Sequence, residues 1–160
     1  LGAPIRLILN LKLVGEAAEE IIAGVRELGI EFKEDFVRLG VAVHDAGKIL
    51  HPNELNGEGN EHEPAGQKLL LDNGVQSEIA RCCLSHARYE TMEVSFEELL
   101  VALSDKLWKG KRVDALELEV IDRAAKLLEK DRWEVFSALD SCFEEVASKG
   151  ELRLARSTGS

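Results

Sequence analysis

The sequence predicts an all-α protein, a single compact domain of about six to seven helices. Three observations predict it. Apolar residues recur at helical spacing along most of the chain. No hairpin turn lies between two alternating β-branched runs. The 160 residues are 45% hydrophobic and 31% charged with only 3 prolines, a composition suited to one globular unit. Residues 1–150 are read as that domain and 151–160 as a disordered tail, because the chain from Arg153 onward closes on Arg156-Ser157-Thr158-Gly159-Ser160.

The elements follow in order. Ile5, Ile8, Leu9, Leu13, Ala17, Ile21 and Val25 mark an amphipathic helix over about residues 4–28, with Gly29 where it should stop. Phe32, Phe36, Leu39, Val41 and Val43 mark a second over about 33–48, more apolar and so more buried toward its end. The stretch from His51 to Asn60 is rich in turn formers and reads as a loop, the kind of segment that often edges an active site. Helices are expected over about 61–73, stopped by Gly74, and about 76–87, so that His62 begins one and His86 ends the other. Ser95 and Glu98 have capping-box spacing and open a helix over about 96–109 that carries the run Leu99 to Leu103. Two further amphipathic helices are expected over about 113–130 and 132–148.

Charge and cysteine content restrict what the protein does. A net charge of -10 repels a nucleic acid polymer, and the one basic patch, Lys106, Lys109, Lys111 and Arg112, is too short to reverse that. A small phosphorylated substrate stays compatible, since bound divalent cations change the local sign. Cys82, Cys83 and Cys142 are odd in number and form no C-x-x-C, which fits a reducing cytoplasm better than a disulfide framework. No apolar stretch approaches the roughly 18 residues that span a bilayer, so no membrane association is expected.

The residues that carry chemistry are His44, Asp45, His62, His86 and Asp105. An imidazole and a carboxylate side by side at the end of the run Leu39-Gly40-Val41-Ala42-Val43 offer one nitrogen and one oxygen ligand from one turn of chain. Each histidine alone also fits a core residue bonded to a backbone carbonyl. Asp45 shifts that balance, because a carboxylate in such an apolar setting must be paired or bind a metal. Lys48 is either an ordinary cation near a helix end or a neutraliser of phosphate charge. His51 is expected to be exposed, Glu61 and Glu63 are candidates to orient His62, and Arg88 is read as solvated. Cys82, Cys83, Trp108 and Trp133 read as packing residues.

Taken together, His44-Asp45-Ala46-Gly47-Lys48, His62-Glu63-Pro64-Ala65-Gly66, Ser85-His86 and Ala102-Leu103-Ser104-Asp105-Lys106 resemble the HD-domain metal-dependent phosphohydrolases, an all-helical superfamily. The resemblance covers about residues 8–112. It implies one or two divalent ions (Mn, Fe, Ni, Co, Mg or Zn), the first held by Asn10, His44, Asp45 and Asp105, the second by Asp45, His62 and His86. Asn10 stands where the family pattern has a histidine, and its carbonyl oxygen is a weaker ligand than imidazole. Asp45 and Lys48 are the implied catalytic residues. The implied function is hydrolysis of a phosphomonoester or phosphodiester of a small molecule, with nucleotides first, by metal-activated water. Two alternatives stay open: a di-iron oxygenase of the same fold, and a catalytically degenerate domain acting as a binding module.

Overall fold

In the computed structural model, which describes residues 1–56 and 58–158, every regular element is helical. The order is α1 (Ile5–Glu27), α2 (Glu34–Val43), two 3-10 turns (Ala46–Ile49 and Pro52–Leu55), α3 (His62–Asp72), α4 (Ser77–Ala80), α5 (Cys82–Arg88), α6 (Phe96–Leu107), α7 (Asp114–Leu127), α8 (Arg132–Ser148) and α9 (Gly150–Ser157). No strand occurs among the described residues. The helix expected over 76–87 is present as α4 and α5, interrupted at Arg81. Gly29 and Gly74 stop α1 and α3 by adopting φ of +85° and +82°, a region that costs other residues strain.

α6 is the central helix. Leu99 through Ser104 are all buried, because α1, α2, α5, α7 and α8 surround it, and a helix apolar on every side has to sit inside. Its start is fixed by the capping box that the sequence suggests: Glu98 N–H donates to Ser95 Oγ and Ser95 N–H donates to Glu98 Oε1, both at 3.1 Å. The main core joins α1, α2, α6, α7 and α8, and a small satellite of Ala46, Leu70, Ala80 and Cys83 lies under α3 and α4.

Three expectations are corrected. The second helix ends at Val43 rather than near 48, and the chain turns at Asp45 (φ -106°, ψ 17°) into the 3-10 turn. Continuing the α-helix would carry Gly47 away from α3, against which it packs backbone to backbone. Residues 151–157 are not a disordered tail: they belong to α9, tied down by Arg153, which is only 3% exposed. Arg153 donates to the Val146 carbonyl at 2.7 Å and to Glu20, while Arg156 pairs with both oxygens of Glu16. A polar segment thus orders because carboxylates on α1, far away in sequence, satisfy its guanidinium groups. Trp133 is 73% exposed and lies against Phe136 and Arg132 instead of in the core. Gly57 of the expected loop, and Gly159 and Ser160 of the expected tail, lie outside the described residues.

Candidate metal centre

The end of α2 delivers His44 into a fully buried position, and the turn that follows swings Asp45 in beside it. His62 comes from the first residue of α3, His86 from α5, and Asp105 from α6. All five meet at one place. His44 Nε2 lies 3.2 Å from Asp105 Oδ1 and 3.5 Å from Asp45 Oδ2. His62 Nε2 and His86 Nε2 lie 3.5 and 3.7 Å from the other oxygen, Asp45 Oδ1. The two oxygens of Asp45 therefore face two separate donor sets, His44 with Asp105 and His62 with His86.

The same pattern orients all three imidazoles. His44 Nδ1–H donates to the Val41 carbonyl at 2.6 Å, and His86 Nδ1–H donates to the Cys82 carbonyl at 2.8 Å. His62 Nδ1–H donates to Glu54 Oε1 at 2.7 Å. With Nδ1 engaged as a donor, each neutral ring presents the Nε2 lone pair inward, as a metal ligand requires. The carbonyl bond that would make His44 an ordinary core histidine is what frees its other nitrogen. Ligand atoms on one tetrahedral ion with bonds near 2.1 Å sit about 3.4 Å apart, close to the spacing across Asp45. The donor set of imidazole nitrogens and carboxylates suits a borderline divalent ion.

Electrostatics point the same way. Burial opposes a charge on His44, yet Asp45 beside it and Asp105 push its pKa up to about 9. Burial likewise opposes ionisation of Asp45 and Asp105, and His44 overrides it, holding both carboxyls well below the ordinary range. His62 is raised by Asp45 against its own desolvation, and His86 is lowered by burial and then by the charge of His44. Two partly buried carboxylates that need a neighbouring positive charge form a site in which a cation can replace a proton.

Glu54 had no signal in the sequence beyond being a carboxylate in a polar loop. The 3-10 turn Pro52–Leu55 tucks it under the loop, 7% exposed, where it takes the orienting role assigned to Glu61 and Glu63. Glu61 is exposed and faces His51, while Glu63 pairs with Arg88 at 2.9 Å, so Arg88 is not merely solvated. His51, Glu54 and Glu61 also group together at the edge of the loop. Cys82 and Cys83 are buried, and that burial pushes both thiols up to about 12.

Gly47 and Gly66 explain the glycines inside two of the motif strings. A Cβ on Gly47 would lie 1.7 Å from the His62 carbonyl oxygen, and one on Gly66 would lie 2.7 Å from the Gly47 nitrogen. This contact brings the turn carrying Asp45 against the first turn of the helix carrying His62. Lys48 places Nζ 3.2 Å from Asp45 Oδ2.

Asn10 sits on α1 between the buried Leu7 and Leu13, and α1 packs against α2 and α6. Its Oδ1 is buried with no hydrogen-bond partner among the described residues. An orphaned acceptor is costly unless something positive reaches it. Replacing Asn10 with His is expected to tighten metal binding by about tenfold, a difference of about 1.4 kcal/mol. Calorimetric titration checks it, and an unchanged affinity would separate Asn10 from the centre.

The HD domain family model matches residues 10–130, and no curated protein and no solved structure matches the chain. HD domains bind divalent metals, and the His and Asp clusters described above could hold one. The matched span runs from Asn10 on α1 past Asp105 on α6, so it contains the whole centre and about three quarters of the sequence. The chain belongs to the HD-domain family.

Proposed function

We propose that this protein is a metal-dependent phosphohydrolase acting on a small phosphorylated molecule, with nucleotides as the first substrates to test. The observation that carries the reading is the divided surroundings of Asp45: each oxygen faces its own set of side chains, and each imidazole in those sets has its outer nitrogen tied to a carbonyl or carboxylate. Divalent ions held there supply an acidified water and a positive field for phosphoryl oxygens. In this reading Asp45 is shared between the two positions, His44 and Asp105 complete one, and His62 and His86 complete the other. Lys48 holds a fixed positive charge at the same carboxylate, within reach of a phosphate bound there. The net charge of -10 favours a small anion over a nucleic acid polymer. No helix among the described residues is long and apolar enough to cross a membrane.

A panel of nucleotides and sugar phosphates, assayed with Mn, Fe, Ni, Co, Mg or Zn, tests the proposal directly. Release of phosphate that depends on the added metal and disappears with a chelator is expected. A protein inert toward the whole panel with every metal would overturn it.

A further inference from the structure

Outside the centre, one group of ligand-type side chains is left without a role. His51 Nδ1 lies 3.8 Å from Glu54 Oε2 and 3.6 Å from Glu61 Oε2, and the three atoms all fall within 4.8 Å of one another. They come from two elements: His51 and Glu54 from the start and the body of the 3-10 turn Pro52–Leu55, Glu61 from the residue before α3. Glu54 is the shared piece. Its Oε1 accepts from His62 Nδ1–H at 2.7 Å, so the carboxylate stands between this group and the metal centre.

Two features separate the group from a chance gathering of surface charge. The Glu54 side chain is only 6% exposed, yet its Oε2 accepts no hydrogen bond among the described residues, both donations from His62 going to Oε1. A buried carboxylate oxygen without a donor is costly unless something positive reaches it. The His51 ring also forms no hydrogen bond to either carboxylate, because 3.6 and 3.8 Å are too long for one. Those distances instead lie near the spacing of ligands on a single ion, since bonds of about 2.1 Å at tetrahedral angles put ligand atoms about 3.4 Å apart. Glu61, whose side chain is largely exposed, is free to close the small remaining gap.

We infer that His51 Nδ1, Glu54 Oε2 and Glu61 Oε2 form a separate divalent-cation site of zinc type, outside the centre and joined to it through the Glu54 carboxylate. One imidazole nitrogen and two carboxylates, with water completing the shell, are a donor set for a borderline ion. The two carboxylates also balance its charge. An ion held there ties the 3-10 turn to the start of α3 and fixes the carboxylate that orients His62, a positioning role. The site goes beyond the phosphohydrolase reading and does not rest on it, since no substrate group and no bond cleavage enters.

Equilibrium dialysis of the full chain against zinc, with bound metal counted by plasma mass spectrometry, tests the site. Three protein ligands, one of them exposed, release an ion readily, so zinc is kept at equilibrium rather than left to survive purification. Asp45→Asn, which disables the centre, is expected to retain one zinc. Adding His51→Gln or Glu61→Gln to Asp45→Asn should weaken that zinc at least about tenfold, since losing a ligand costs no less than losing a residue that orients one. Adding Glu58→Gln instead, at an exposed carboxylate of the same loop, controls for local charge and should change nothing. Melting curves give a second readout: zinc should raise the Tm of Asp45→Asn and leave that of the variant carrying both Asp45→Asn and His51→Gln where it was. Absence of zinc from Asp45→Asn would overturn the site, as would an affinity that His51→Gln leaves unchanged, or an equal loss with Glu58→Gln. The two readings fail separately. A wild type that binds no more zinc than Asp45→Asn would sink the metal centre and leave this site standing, and a centre that fills while His51→Gln removes nothing would do the reverse.

Discussion

Asp45→Asn is expected to reduce turnover by at least about a thousandfold and to leave the purified protein largely free of metal. The expectation follows from the position of the carboxylate. Both of its oxygens face imidazole nitrogens, His44 on one side and His62 and His86 on the other, so in the proposed reading a neutral amide weakens both metal positions at once. The amide also presents an NH₂ group, a donor, toward one of those sets, where a lone pair is needed. Loss of a correctly placed ion removes several kcal/mol of transition-state stabilisation, and about 1.4 kcal/mol is tenfold in rate. Metal content by plasma mass spectrometry, together with the steady-state rate, checks the prediction. Turnover within about tenfold of wild type would remove Asp45 from the mechanism. Asn keeps the size of Asp and leaves His44 its partner Asp105, so the variant should fold, and a lost activity is then attributable to the site.

Gly47→Ala is expected to be the most damaging glycine-to-alanine change among the described residues. Its Cβ would lie 1.7 Å from the His62 carbonyl oxygen, 2.5 Å from the carbon of the same group and 2.8 Å from the Gly66 nitrogen. These are backbone atoms, which cannot rotate aside as a side chain would, so either the turn or the start of α3 has to move. Overpacking of a dense interior ordinarily costs about 1–3 kcal/mol, and a clash with backbone belongs at or beyond the upper end. A loss of about 3 kcal/mol corresponds to a Tm lower by roughly 6–12 °C for a chain of this size. The displacement also separates Asp45 from His62, so metal binding at Asp45, His62 and His86 should weaken more than at His44 and Asp105. A thermal melt and a metal titration on the same sample test both parts. A variant that melts like wild type and binds metal normally would show that this backbone approach does not exist in solution.

Much of the helical architecture was legible before the fold was known. Leu13, Ala17, Ile21 and Val25 recur at the period of a helix because one face of α1 is buried, and the unbroken run Leu99 to Leu103 reads as a helix enclosed on every side. The Ser95 and Glu98 pair announces the start of α6 because capping is a local interaction across three residues. His44, Asp45, His62, His86 and Asp105 stood out for a related reason: ionisable groups set into or beside apolar segments demand a partner.

What remained hidden depends on pairs that belong to different elements. Arg153 looked like part of a polar tail, because its acceptors on Glu20 and Val146 belong to other elements. Glu54 looked like any loop carboxylate until the turn Pro52–Leu55 carried it to His62 Nδ1. The 3-10 turn in place of a longer α2 follows from contact between Gly47 and the backbone of α3, which no local propensity encodes.

The sequence by itself determined the all-helical class, the ends of most helices and the set of ligand-type residues, since periodicity, capping and the cost of a buried charge are properties of short segments. Only the tertiary structure decided how those residues divide. It placed one oxygen of Asp45 toward His44 and Asp105's side, and the other toward His62 and His86. It also drew Lys106 to the centre and sent Arg112 elsewhere. Side-chain direction is set by how helices pack across the core, and packing is a relation between distant segments rather than a property of any one of them.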